Sequence, residues 1–177
     1  MFNFLRNKYP WNPNKNKIYG LSKDIGKIGL IKHFLNNNNK LKILEIGVAG
    51  GNTTLELLNF IKKNDKSQII GCDPFKDYPD KINRNHEEHY VKFLNRFDKD
   101  LKNKRLVLYR DFSFNFLVNY ISKKNISIFD AVIIDGDHRA KYVIEDFLLS
   151  LPLVKTGGYI MFDDYLWFPS KKPFRKE

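Results

Sequence analysis

The sequence predicts an α/β protein with a doubly wound parallel sheet covered by helices on both faces. Three observations predict it. Short apolar segments alternate with segments of helical period along most of the chain, the signature of βαβ units. The apolar segments run nearly unbroken, as in Ala131-Val-Ile-Ile134, which suits strands buried on both faces. Glycines and acids gather just after those segments, at the carboxyl ends of strands, where ligands of such sheets bind.

Residues 1–20 are rich in Asn, Lys and Pro without a clean period and read as an irregular arm. Ser22 can cap a helix to about Leu35, with Ile25, Ile28, Ile31 and Leu35 at helical spacing, and the asparagines 36–39 end it. A strand is expected over 41–46, then a helix over 53–63 with Leu55, Leu58 and Ile61 inward. A second strand covers 68–72 and a helix 83–101, with the stripe Tyr90, Leu94, Phe97, Leu101. The third strand is 105–109, followed by a helix over 113–123. The fourth strand is 129–134, followed by a helix over 139–151, and the fifth strand is 159–162. Right-handed crossovers arrange these as a Rossmann-like sheet in the order 3-2-1-4-5. The domain plan is an arm and helix over 1–40, a ligand-binding domain over 41–168 and a basic tail over 169–177.

The 177 residues fit one domain, and 42% hydrophobic with 15% aromatic content supports a packed core. The single cysteine, Cys72, cannot form an internal bridge, so a reducing compartment is expected. No run approaches the ~18 apolar residues of a membrane span, and the start lacks a signal-peptide core. A cytoplasmic protein without membrane attachment is the expectation. The net charge of +11 allows nucleic-acid binding. The excess is nearly all Lys, however, alongside abundant Asn, Ile, Phe and Tyr, so AT-rich codon usage also accounts for it.

The chemistry lies at the strand ends. After strand one comes Gly47-Val-Ala-Gly-Gly51, whose glycines let backbone turn sharply and approach a ligand at a helix N-terminus. The dinucleotide fingerprint fails, since it needs Gly at 49 and 52, where Ala and Asn stand, and no Walker Lys follows. After strand two, Asp73 can accept both hydroxyls of a ribose. After strand three, Asp111, Phe112 and Ser113 can flank a base, although Ser113 can equally start a helix. After strands four and five come Asp135, Asp137, Asp163 and Asp164. Four carboxylates at adjacent strand ends call for a cation, and oxygen-only donors favour Mg²⁺ or a similar hard ion. The alternative is that one caps a helix and the rest are solvated. His86 and His89 lack the metalloprotease spacing and read as a solvated face. Cys72 reads as core.

Taken together, Leu44-Glu-Ile-Gly-Val-Ala-Gly-Gly51 resembles motif I of class I S-adenosylmethionine-dependent methyltransferases. Phe129-Asp-Ala-Val-Ile-Ile-Asp-Gly-Asp-His138 and Leu153-Val-Lys-Thr-Gly-Gly-Tyr-Ile-Met-Phe-Asp-Asp-Tyr165 resemble a narrower group, the catechol and caffeoyl-CoA O-methyltransferases and their bacterial and viral relatives. The resemblance covers about residues 41–168. It implies that Glu45, Gly47, Val48, Ala49, Gly50 and Gly51 line the methionine part of the cofactor, that Asp73 holds the ribose and that Asp111, Phe112 and Ser113 flank the adenine. It implies a metal at Asp135, Asp163 and Asp164, with Asp135 also beside the cofactor. His138 stands where plant members carry a basic catalytic residue. The family fold adds a helix and a β-hairpin beyond strand five, and this sequence ends at Glu177, so a sheet without that hairpin is expected.

A sulfonium methyl is already activated; the protein has to align a nucleophile and take its proton. His138 suits that role near neutral pH, or alternatively a positioning role. The leading expectation is metal-assisted O-methylation of a small-molecule or sugar hydroxyl. Competing expectations are a metal-independent methyltransferase on nucleic acid or protein, a non-catalytic cofactor-binding module, and a nicotinamide dehydrogenase. Tyr165, Trp167 and Phe168 would wall a substrate cleft or else pack the end of the sheet, and an uncovered sheet edge makes a homodimer plausible.

Overall fold

A computed structural model describes residues 26–35, 39–64, 66–76 and 85–163. Helix α1 (Gly26–Phe34) precedes strand β1 (Lys42–Ile46). There follow α2 (Asn52–Phe60), a 3-10 turn (Ile61–Lys63), β2 (Gln68–Cys72), α3 (His86–Arg96), α4 (Asp98–Lys102) and β3 (Leu106–Tyr109). Then come α5 (Ser113–Ser122), β4 (Phe129–Ile134), α6 (Ala140–Ser150), a 3-10 turn (Leu151–Leu153) and β5 (Val154–Phe162). The five strands form one sheet in the order β3-β2-β1-β4-β5, and every pair is parallel.

The register explains the unbroken apolar strands. Ile43 pairs with Ala131 and Glu45 with Ile133, while Leu44 pairs with Val132 and Ile46 with Ile134. Successive side chains point to opposite faces, so each strand must be apolar at nearly every position to serve two cores. One core gathers Ile43, Leu57, Ile61, Phe93, Phe97 and Ile133. The other gathers Leu44, Ile46, Phe116, Leu117, Val132 and Leu153. Each such side chain, fully buried, contributes on the order of 1.5–3 kcal/mol.

Four expectations change. Leu55 is 39% exposed, and α2 instead buries Thr54, Leu57, Leu58 and the following Ile61, a face at i, i+3, i+4 and i+7. The sequence hides this because Thr54 is polar; its hydroxyl is satisfied by Glu45. The helix expected over 83–101 breaks at Phe97, whose φ is −113°; Phe93 joins the expected Phe97 as a buried side chain, and Tyr90 and Leu101 pack partly buried against the same core. The fifth strand begins at Val154, because Lys155-Thr-Gly-Gly158 forms an irregularity inside it. There the Lys155 ammonium reaches the Asp130 carboxylate at 2.7 Å. Finally, the acids after β4 and β5 do not all share one place, as described below. Ser22, the arm, residues 36–38 and everything beyond Asp163 lie outside the described residues. Among the described residues, no helix is long and apolar enough to cross a membrane.

Candidate active site

The loop after β1 is shaped by one close approach. Gly47 has φ 85°, and a Cβ there would lie 2.2 Å from the Asp135 carbonyl oxygen. The loops after β1 and β4 therefore touch backbone to backbone, which only glycine permits. Gly51 has φ 77° and sits under the Phe97 ring, 2.4 Å from where a Cβ would be. A Cβ on Gly50 would meet nothing within 4 Å. The Arg96 guanidinium, from α3, donates to the Gly50 carbonyl at 2.7 Å and to Asn52 Oδ1 at 3.0 Å. It ties the loop to the start of α2.

Asp73, just past β2, is held by the same region. Its Oδ2 accepts the Ala49 N–H at 3.0 Å and its Oδ1 accepts the Phe75 N–H at 2.7 Å. Ala49 and Phe75 both have positive φ, 43° and 46°. Such backbone costs energy for side chains with a Cβ, and it concentrates at functional sites. The two strained residues thus converge on one carboxylate, and each oxygen retains a lone pair for a ligand.

Two adjoining cavities open above the strand ends and share Gly47 and Gly136. The first, about 330 Å³, is lined by the loop 47–50, Asp73, Asp135 and His138. His86 and His89 also line it, their rings 6.2 Å apart, so they face the cavity rather than only a solvated helix face. The second, about 250 Å³, is lined by Pro74, Phe112, Ser113, Phe114 and Tyr142. Its lining sets three aromatic rings, Phe112, Phe114 and Tyr142, beside the charged Asp137, Arg139 and Glu145.

The remaining expected residues fall around these cavities. Glu45 is fully buried beneath the loop, where its Oε2 accepts the Thr54 hydroxyl at 2.7 Å; it lines neither cavity. Gly51 likewise serves packing rather than lining. Asp111 Oδ1 accepts the Phe112 N–H at 2.8 Å and the Asn115 amide at 3.1 Å. Cys72 is buried core, as expected, and burial pushes its thiol far above the ordinary range. Asp137 does not join Asp135: its carboxylate is gripped by Arg139, whose Nε lies 3.0 Å from both oxygens, and it faces the second cavity. The acid cluster read from the sequence is split by this pair.

One residue was invisible to pattern reading. Asp146, on α6, is 1% exposed, and burial pushes its carboxyl up to about 6, against the pull of the Ser113 hydroxyl beside it. In sequence it looks like one more charged helix position. Only the lack of an exposed face at i−3 and i+4, where Val143 and Ser150 pack inward, could have betrayed it.

The fit to a cation is partial. Asp135 and Asp163 follow neighbouring strands, their N–H groups donating to Ile46 at 2.8 Å and Ile134 at 3.0 Å. Among the described residues no three His, Cys, Asp or Glu side chains gather as a metal site, and Asp164 lies outside them.

This sheet order, with a glycine loop after β1 and an acid after β2, is that of a Rossmann-like nucleotide-binding fold, as in class I S-adenosylmethionine-dependent methyltransferases. Residues 44–165 match the family described as methyltransferase domain, and the chain belongs to that family. An uncharacterized protein of Acanthamoeba polyphaga mimivirus is 32% identical over 137 residues, 75% of this chain and 57% of that protein. The calicheamicin methyltransferase CalS11 superposes with a TM-score of 0.51 at 15% identity, covering 91% of this chain and 74% of its own. MycE of mycinamycin biosynthesis, in complex with Mg, S-adenosylhomocysteine and mycinamycin VI, gives 0.50 at 22%, covering 89% and 36%. The chain therefore spans little more than half of the mimivirus protein and about a third of MycE. The two solved structures establish likeness of fold.

Proposed function

We propose that the protein transfers the methyl group of S-adenosylmethionine to a hydroxyl of a small molecule or sugar. The observation that carries this reading is Asp73, fastened to the glycine loop through Ala49 and facing the cavity that also holds Asp135 and His138. The cofactor supplies a methyl group already activated on a sulfonium. Asp73 accepts the ribose hydroxyls with its remaining lone pairs, and loop 47–50 lets the amino-acid end lie against backbone. The aromatic second cavity takes the adenine. His138 accepts the proton that the acceptor hydroxyl loses as its oxygen bonds to the methyl carbon and the C–S bond breaks. The other product is S-adenosylhomocysteine.

The hydroxyl as acceptor is supported by CalS11, described as a TDP-rhamnose 3'-O-methyltransferase. A divalent ion on Asp135, Asp163 and Asp164 belongs to the same proposal; when bound it would acidify the acceptor hydroxyl. No step above depends on it. Calorimetry with S-adenosylhomocysteine, with and without Mg²⁺, on the parent and on Asp135→Ala, tests the reading. Binding that Mg²⁺ strengthens only in the parent supports the ligand set. Binding indifferent to Mg²⁺ removes the metal, and no binding at all removes the proposal. Salt-sensitive RNA or DNA binding would instead favour the nucleic-acid acceptor that the +11 charge allows.

A further inference from the structure

The loop that carries Asp73 is braced from outside the site. Phe75, whose N–H donates to Asp73 Oδ1 at 2.7 Å, is 3% exposed and has φ 46°. Left-handed backbone is unfavourable for a residue with a Cβ and persists only where the surroundings over-determine it. The Phe75 ring supplies that constraint: it packs against Tyr90 and Phe93 of α3, with ring centroids 5.1 and 5.8 Å away. Phe93 is anchored in the core, but Tyr90 is only partly buried. A guanidinium covers it. Arg110, the residue after β3, lies 4.2 Å from the Tyr90 ring centroid. Glu87, in the first turn of α3, holds that guanidinium with both oxygens: Nη1 donates to Oε1 at 3.3 Å and Nη2 to Oε2.

The Glu87 side chain is 64% exposed, and an ion pair this open adds little to the stability of the whole fold. Its effect is geometric. A two-pronged contact between guanidinium and carboxylate fixes their relative orientation, and the stack fixes the ring beneath them. Arg110 thereby ties the loop after β3 to the first turn of α3. Through Tyr90 and Phe75 the tie reaches Asp73, in the loop after β2. The other Asp73 oxygen is held by the Ala49 N–H at 3.0 Å, so a carboxylate that loses the Phe75 N–H is free to turn about the contact that remains. We propose that Arg110 is a positioning residue: clamped by Glu87 over Tyr90, it keeps Phe75, and hence the Asp73 carboxylate, set to accept both ribose hydroxyls of the cofactor. The inference rests on the cofactor reading above and adds to it a residue that lines neither of the two cavities.

Calorimetry on the intact chain compares S-adenosylhomocysteine with its analogue lacking both ribose hydroxyls. The parent should prefer the hydroxylated compound by about tenfold or more, the range expected when a polar site meets a ligand without the matching group. Arg110→Ala should bring that preference to within about threefold, by weakening S-adenosylhomocysteine and leaving the analogue nearly unchanged. Arg110→Lys should do the same, because an ammonium keeps the charge without the fork or the flat stack. If Arg110→Ala does not fold, Glu87→Ala, at an exposed position, is read in the same way. Melting curves accompany every variant, but the ratio of the two affinities is the readout, because a merely structural role would weaken both compounds alike. A parent with the preference and variants that keep it, or that lose affinity for both compounds equally, overturn the inference and leave the cofactor reading intact. A parent that binds the two compounds equally, or binds neither, overturns the reading of Asp73 as the ribose acid.

Discussion

Asp146 gives the most quantitative prediction about stability. Its carboxyl is moved from its ordinary 3.8 to about 6, chiefly by burial. At about 1.4 kcal/mol per pKa unit, that corresponds to roughly 3 kcal/mol between the protonated and ionised folded forms. With the residue 1% exposed, little of this is screened by solvent. The sign follows from linkage. The folded state binds the proton more tightly than the unfolded chain, so the stability Asp146 contributes is complete below about pH 3.8 and is lost as pH rises through about 6. Asp146→Asn carries a fixed cost for the buried amide, the same at every pH, and no titration. The stability of the variant minus that of the parent should therefore rise by about 3 kcal/mol between pH 3 and pH 8. In a chain of this size that is roughly 6–12 °C in the difference of melting temperatures. Thermal unfolding of both proteins across that range, or urea titration at the two ends, measures it. A difference that stays flat with pH would refute the reasoning, because it would mean the carboxyl is not desolvated when folded.

Other outcomes follow from single contacts. Thr54→Val removes the hydroxyl that donates to buried Glu45 and should cost about 1–3 kcal/mol in urea unfolding. Arg96→Ala frees the Gly50 carbonyl and Asn52, so it should weaken S-adenosylhomocysteine binding several-fold while shifting the melting temperature little, since Arg96 is exposed. His138→Ala should lower kcat about 10²–10⁴-fold if the imidazole takes the acceptor proton, with cofactor affinity nearly unchanged in calorimetry.

The sheet was legible because its strands carry apolar side chains on both faces, and because glycines and acids punctuate their ends. Both signals are local, and both survive in one dimension. The order of strands followed from handedness, and motif I placed the loop at the centre. What failed to read was whatever depends on a partner distant in sequence. Thr54 was missing from the expected inward face of its helix because Glu45, nine residues earlier, was not visible as its partner. Asp137 looked equivalent to Asp135 until Arg139 was seen to hold it. His86 and His89 do lie on an open helix face, His89 exposed, and that face also borders the cavity beside Asp73. Lys155-Thr-Gly-Gly158 was left outside the expected fifth strand, and it is an irregularity within β5 against Asp130. The site's acids were thus countable from the sequence, while their division between two cavities required the fold.

A co-crystal with S-adenosylhomocysteine examines the core of the account most directly. It should show both ribose hydroxyls within hydrogen-bonding distance of the Asp73 carboxylate, with the amino-acid end along residues 47–50. Density for the ligand elsewhere, or a ribose out of reach of Asp73, would contradict it.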